Sequence, residues 1–217
     1  MIPRVYLSPS SQPANTYAGQ NTNEQAVCRD IAKHCANALD RCGLDVICGD
    51  YGDMYQRVAE SNKWPSGLHV PIHTNAHNGK TSGTRAMCYN MGGEGYKACK
   101  AIFDRLSPIT PGKSENISAH PELYEVWAAD APTAYIEVDF HDVPSVAAWL
   151  VENTEKVGEA IAAGICDYFG VPYVEPAKTF YRVQVGAFNS RELAENFKLE
   201  VIEAGFPGAF VVEVNGA

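Results

Sequence analysis

His73-Thr74-Asn75 closes an apolar run from Leu68, and Glu137 sits inside Ala134-Tyr135-Ile136-Glu137-Val138. Glu24 opens a helical pattern, and Ser10-Ser11-Gln12 follows the apolar stretch that begins at Arg4. In open parallel sheets ligands gather beyond the carboxyl ends of the strands, so these are the positions where cation-binding or proton-moving side chains belong. A carboxylate in the first turn of a helix is held ionised by the helix dipole, which suits Glu24 to a cation. Glu137 is harder to explain as structure alone, because a carboxylate in an apolar strand is costly to bury unless it is paired or meets a metal. One histidine and one glutamate as ligands, with a second glutamate as base, form a workable zinc hydrolase: the ion acidifies a water and the free carboxylate takes its proton.

The elements that must position these groups alternate. Arg4 to Ser8 reads as a strand ending at Pro9. Thr22 and Gln25 fit a capping box for a helix carrying Val27, Ile31, Cys35, Ala38, Leu39 and Cys42, which Gly43 stops. Leu44 to Cys48 reads as a buried strand, Met54 to Lys63 as a helix, Leu68 to His73 and Thr84 to Tyr89 as strands, and Glu94 to Leu106 as a helix. Strands near Leu123 to Trp127 and Thr133 to Val138 precede one long helix from Ser145 to Phe169. The order implies an α/β fold, a twisted and mostly parallel sheet with helices on both faces.

Val171 to Lys178 has two prolines and no period and reads as a linker. The expected organisation is a catalytic domain over 1–173, a linker over 174–178 and a small βαβ module over 179–217. That module comprises an alternating strand (Tyr181, Val183, Val185), a helix capped by Ser190 and closed by Gly205, and a strand from Ala209 to Val214. So short a unit buries little apolar surface by itself.

Length and charge bound the partners. The chain has 217 residues with 46% hydrophobic side chains and a formal charge of −9, so it folds around a core and repels polyanions. Nucleic acid and an anionic membrane surface are therefore poor partners, and no stretch approaches the roughly 18 apolar residues of a membrane span. Seven cysteines are odd in number; Cys28, Cys35 and Cys42 fall about 10 Å apart on one helix face, too far to pair with each other, and read as reduced core thiols. The first residues, Met1-Ile2-Pro3-Arg4-Val5, lack the charged-then-apolar pattern of a leader, so the expectation is synthesis in the cytoplasm without a signal peptide.

Several motifs together resemble a known family. Val5-Tyr6-Leu7-Ser8-Pro9, Asn23-Glu24-Gln25, Arg57 with Ser61-Asn62, the run Leu68 to Ala76 containing Ile72-His73-Thr74-Asn75-Ala76, Gly83-Thr84 and Pro132 to Glu137 follow the order and spacing of zinc-dependent N-acetylmuramoyl-L-alanine amidases of type 3. The resemblance covers about residues 1–173. It implies a Zn2+ cofactor with Glu24 and His73 as ligands, Glu137 as catalytic carboxylate, and Asn75 and Arg57 as residues that shape the site or fix strand ends. The family places a histidine ligand in a Gly-His-Gly segment after the first strand, where this chain reads Ser10-Ser11-Gln12. Gln12, through its side-chain oxygen, is the first choice for the third ligand and His141 the second, with a substrate-contacting or proton-donating role open to His141 as well. His69 shares a strand face with His73 but lies roughly 13 Å along it, too far to share one ion. His34, His77 and His120 read as structural or surface residues.

The tail, from Phe180 to Phe188 with Ala194-Glu195 and Ala204-Gly205-Phe206, resembles half of a SPOR domain, a peptidoglycan-binding module. A homodimer through this module would supply the missing half and cover its open strand edge. The combined resemblance implies a peptidoglycan hydrolase that cuts the amide between N-acetylmuramic acid and L-alanine. A layout of this kind resembles phage or prophage endolysins, with an exported autolysin as the alternative. A non-catalytic wall binder and a zinc peptidase or deacetylase are the other functional classes.

Overall fold

The structure is a computed structural model and describes residues 2–49, 51–177 and 182–214. It divides into two compact units, Met1–Pro176 and Ala177–Ala217.

The larger unit is built on six strands: β1 (Arg4–Pro9), β2 (Asp45–Cys48), β3 (Leu68–Asn75), β4 (Arg85–Cys88), β5 (Asn116–Ala119) and β6 (Tyr135–Phe140). They form one sheet in the order β2-β1-β3-β6-β4-β5. The first four in that order run parallel, β4 pairs antiparallel with β6, and β5 follows β4 in parallel. This is the mixed, mostly parallel α/β architecture expected of alternating strands and helices. The helices are α1 (Glu24–Arg41), α2 (Met54–Lys63), α3 (Glu94–Leu106), α4 (Tyr124–Trp127), α5 (Pro144–Glu152) and α6 (Thr154–Phe169).

Period-two alternation assigns each strand residue to one of two faces. Val5, Leu7, Leu68, Val70, Ile72, Ile136 and Val138 join α1, α3 and α6 in the main core. Their neighbours Tyr6, Ser8 and His69 point the other way, where Tyr6 bonds Glu60 of α2, Ser8 bonds Glu125 of α4 and His69 meets Ser61 of α2. Two glycines let the helices on the core face approach closely: a Cβ on Gly158 would stand 2.7 Å from the Ile31 carbonyl oxygen, and one on Gly164 would stand 2.4 Å from Ile102 Cα.

Local chemistry explains where the elements depart from expectation. α1 starts one residue later than a Thr22 cap would place it. Asn23 is the N-cap and accepts from Ala26 N at 3.0 Å, while Thr22 is held in an extended ribbon by its carbonyl bond from Tyr17 N. Leu44 to Cys48, expected to be buried, yields an edge strand that pairs only with β1 and is half-buried at most positions. The Leu123–Trp127 stretch is the single turn α4 rather than a strand, and the edge position beside β4 is taken by the polar Asn116–Ala119. The helix expected from Ser145 to Phe169 breaks at Asn153, whose Nδ2 donates to the Trp149 carbonyl at 2.8 Å and so competes with the helical ladder.

The smaller unit contains α7 (Arg191–Glu203), ended at Gly205 with φ +100°. The expected flanking strands do not form over 182–188 or 209–214, and Tyr181 lies outside the described residues. Instead Arg182 lies over the Phe210 ring and Phe188 packs on Phe197, 5.3 Å between ring centroids. With no residue of α7 buried and Val183 88% exposed, the unit has too little core to order a ladder. Among the described residues no helix is long and apolar enough to cross a membrane.

Candidate active site

The carboxyl-terminal half of β3 and the middle of β6 bring His73 and Glu137 side by side, in register. The register then shifts between His73 and Asn75, where Asn75 pairs with Phe140, a bulge of one extra residue on β6 just beyond the pair. Glu24 reaches the same place from the first turn of α1. Its Oε1 accepts from His73 Nδ1 at 2.9 Å and its Oε2 from Asn15 Nδ2 at 2.6 Å. Gln12 completes this side, with Nε2 3.4 Å from His73 Nδ1 and Oε1 accepting from Asn15 at 2.9 Å. The Tyr135 ring stacks on His73 at 4.8 Å and walls the imidazole in.

Glu137 differs from the other carboxylates. Its Oε2 is buried and has no hydrogen-bond partner. Burial raises its carboxyl to about 7, the charge of Glu24 pushes the same way, and His73 opposes both. Burial also pushes Glu24 upward, but the hydrogen bond and charge of His73, with bonds from Asn15 and Ser10, hold it below the usual carboxylate range. For His73, burial works downward and is outweighed by the Glu24 hydrogen bond and the charges of Glu137, Glu24 and Glu125, so it keeps a proton above the ordinary histidine range. The site therefore combines carboxylates that stay ionised with one that binds a proton near neutrality.

Sequence reasoning missed Glu125. It is buried to 4% exposure on α4, where its Oε1 accepts from Ser8 Oγ at 2.5 Å and from His69 Nε2 at 3.3 Å. Its Oε2 faces His73 Nε2 at 3.9 Å. His69 thus meets His73 through a shared carboxylate rather than a shared ion. The available signal was a glutamate inside an otherwise apolar Leu123–Trp127, obscured by the strand assignment.

Among the other sequence candidates, Arg57 bonds the carbonyls of Pro9 and Tyr51 at the end of β1, while its NH2 is buried without a partner. Asn75 accepts from the backbone of Ala76, and its carbonyl receives His141 N at 2.8 Å. His141 stands in a separate buried cluster. Its Nδ1 meets Thr74 Oγ1 and the Thr74 carbonyl at 2.9 and 3.0 Å, and its ring stacks on Tyr17. His34 lies near Asp30, His120 near Glu122, and the His77 backbone binds Asp142.

Among the described residues no three His, Cys, Asp or Glu side chains form a ready-made metal cluster. The donor set nonetheless fits zinc. Ligands about 2.0–2.1 Å from a tetrahedral ion stand about 3.3 Å apart; the Glu24–His73 separation is 2.9 Å, and Gln12, whose Nε2 stands 3.4 Å from His73, would have to turn its amide to offer Oε1. The orphaned Glu137 oxygen is a buried acceptor with no partner, as expected of a group that waits for one.

Comparison with known proteins decides the family. The N-acetylmuramoyl-L-alanine amidase family matches residues 11–167. The chain belongs to this family. The SPOR domain matches residues 147–213, a span that begins in α5 and overlaps the end of the amidase match. The catalytic domain of the amidase CwlV from Bacillus (Paenibacillus) polymyxa var. colistinus has the same fold, with TM-score 0.71, 17% identity, and coverage of 79% of this chain and 100% of that one. An N-acetylmuramoyl-L-alanine amidase from Clostridium difficile 630 gives 0.70 and 19%, covering 78% and 97%. The catalytic domain of the CD27L endolysin targeting Clostridia difficile gives 0.64 and 18%, covering 77% and 97%. No protein among those with curated descriptions matches the chain. SPOR domains bind peptidoglycan, and in this amidase the match covers α7 and the residues around it.

Proposed function

We propose that this amidase hydrolyses the bond between N-acetylmuramic acid and L-alanine of peptidoglycan with Glu137 as general base beside a zinc ion. Glu24 and His73 would hold the ion with Gln12, through Oε1, as third protein donor; when bound, zinc would polarise the amide carbonyl and lower the pKa of a water. Glu137 accepts the proton of the attacking water through its unpartnered Oε2 and delivers it to the departing alanine nitrogen. Burial raises this carboxyl in the metal-free chain, which favours proton uptake by Glu137; a bound cation would draw it back down. Tyr135 and the Asn15 bond to Glu24 keep the first-loop and β3 donors from turning away. The observation that carries this reading is the buried, unpaired Glu137 oxygen in register with His73.

The smaller unit acts as a wall-binding module that keeps the catalytic unit on its polymer, where weak contacts multiply through effective concentration. Cys28, Cys35, Cys42, Cys88, Cys99 and Cys166 are free thiols, which favours folding in a reducing cytoplasm and later release to the wall in the manner of a phage lysin.

Isolated cell walls test the reading. Digestion releases stem peptides with new N-terminal alanine and creates no new reducing sugar ends, and dialysed protein retains about one zinc per chain. New sugar amines instead of alanine termini would make the chain a deacetylase, and full turnover after chelation would remove zinc from the account.

A further inference from the structure

His73 presents its two ring nitrogens to two different carboxylates, Nδ1 to Glu24 at 2.9 Å and Nε2 to Glu125 at 3.9 Å. An imidazole gives one nitrogen to a metal and keeps its proton on the other. Glu24 and Gln12 both lie on the Nδ1 side, so in the zinc reading given above the remaining proton sits on Nε2. Glu125 is the carboxylate that faces it.

We propose that Glu125 is a positioning residue for zinc binding: it orients the His73 ring from behind and makes Nδ1 a stronger donor. Three features support the role. Glu125 Oε1 is saturated by Ser8 and His69, which leaves Oε2 as the oxygen directed at His73. His69 is itself fixed, its Nδ1 on Ser61 Oγ at 3.0 Å and its ring stacked on Tyr6 at 5.4 Å, so the support extends into α2 and β1. The 3.9 Å gap exceeds a hydrogen bond, and it closes by a small ring rotation or one bridging water once Nδ1 turns from Glu24 to an ion. Ligating histidines characteristically donate their second N–H to a carboxylate, and loss of that partner typically weakens metal binding about 10–100-fold.

This inference rests on the zinc reading, and one experiment separates the two. The dissociation constant for zinc chloride is measured by competition with a chromophoric chelator for the full chain, E125Q and S8A, alongside the thermal midpoint of each zinc-free protein. The expected result is a constant about 10–100-fold weaker in E125Q, a loss larger than any fall in its zinc-free midpoint accounts for. S8A moves the same way by less, since His69 still holds Oε1. In the cobalt(II)-substituted protein the visible absorption shifts in E125Q while keeping tetrahedral intensity. A zinc constant within twofold of the parent in folded E125Q overturns the proposal. So does a zinc-free midpoint that falls in step with affinity in both variants, which would make Glu125 merely structural. Should E125Q fail to fold, an unchanged constant in S8A overturns it. Absence of zinc binding by the parent chain overturns the zinc reading itself, and is seen before any variant is compared.

Discussion

The two faces of the sheet differ by one residue of register and by almost all of their chemistry. On one face Val5, Leu7, Leu68, Val70, Ile72, Ile136 and Val138 pack against α1, α3 and α6. On the other, Ser8, His69, His73 and Glu137 meet Glu125 and the N-terminal turn of α1. A slip of one residue in β3 would send His73 into the core and expose Ile72, so the apolar face fixes the register that the polar face needs. The first face stabilises through area removed from water. The second holds ionisable groups at a cost, and that cost is where reactivity resides.

Changes on the two faces should therefore separate activity from stability. In the proposed reading E137Q removes the base and leaves the shape, so release of alanine termini from walls falls about 10²–10⁴-fold while the far-UV spectrum is retained and the thermal midpoint at neutral pH is no lower than the parent's. Full activity in E137Q would show that the polar face does not work through Glu137. On the opposite side Ile161 of α6 is fully buried. Ile161→Ala should cost about 2–5 kcal/mol in urea unfolding yet leave turnover per folded molecule near that of the parent. Loss of turnover at full stability would merge the two faces into one functional unit.

The third test is the pH dependence of the zinc-free protein. Glu137 is raised from 4.5 to about 7 in the folded state, so between those values the folded chain holds a proton that the unfolded chain has released. Its contribution makes stability fall as pH rises through that window, by on the order of 3 kcal/mol. Glu24 and Glu125, held below the usual range, add stability that is lost only as pH falls through their lowered values. His73, held above its ordinary range, adds stability present at low pH and lost as pH rises through its raised value. The difference between parent and E137Q unfolding free energies isolates Glu137, and a difference that does not change from pH 4.5 to 7 would contradict its burial cost. The smallest effect on the site is expected from ending the chain at Pro176. Cosedimentation with walls should drop about tenfold or more, while hydrolysis of a soluble muropeptide stays unchanged.

Much of the scaffold was legible because its signals are local and repeated. α2 and α3 begin and end where their periodicity does, and β3 and β6 follow from apolar runs that close on His73 and contain Glu137. Short elements were not legible. Four residues of α4 carry no period that distinguishes a turn of helix from a strand, and Asn116–Ala119 is polar because it lies at a sheet edge. The reversed direction of β4 and β5 and the break at Asn153 also depend on what each segment packs against.

By itself the sequence determined the residue types, the alternation that sorts them onto two faces, and the family signature that joins Glu24, His73 and Glu137. The first two depend on neighbours a few positions apart in the chain, and the third on the resemblance carried by the order of motifs along it. Only the tertiary structure decided that Glu125 stands behind His73, that His69 supports it, and that His141 belongs with Thr74 and Tyr17. Those contacts join residues between 56 and 117 positions apart for Glu125 with His69 and Ser8, and 67 apart for His141 with Thr74. Separations of that size are set by how the strands order and how far each helix reaches, which no local pattern encodes.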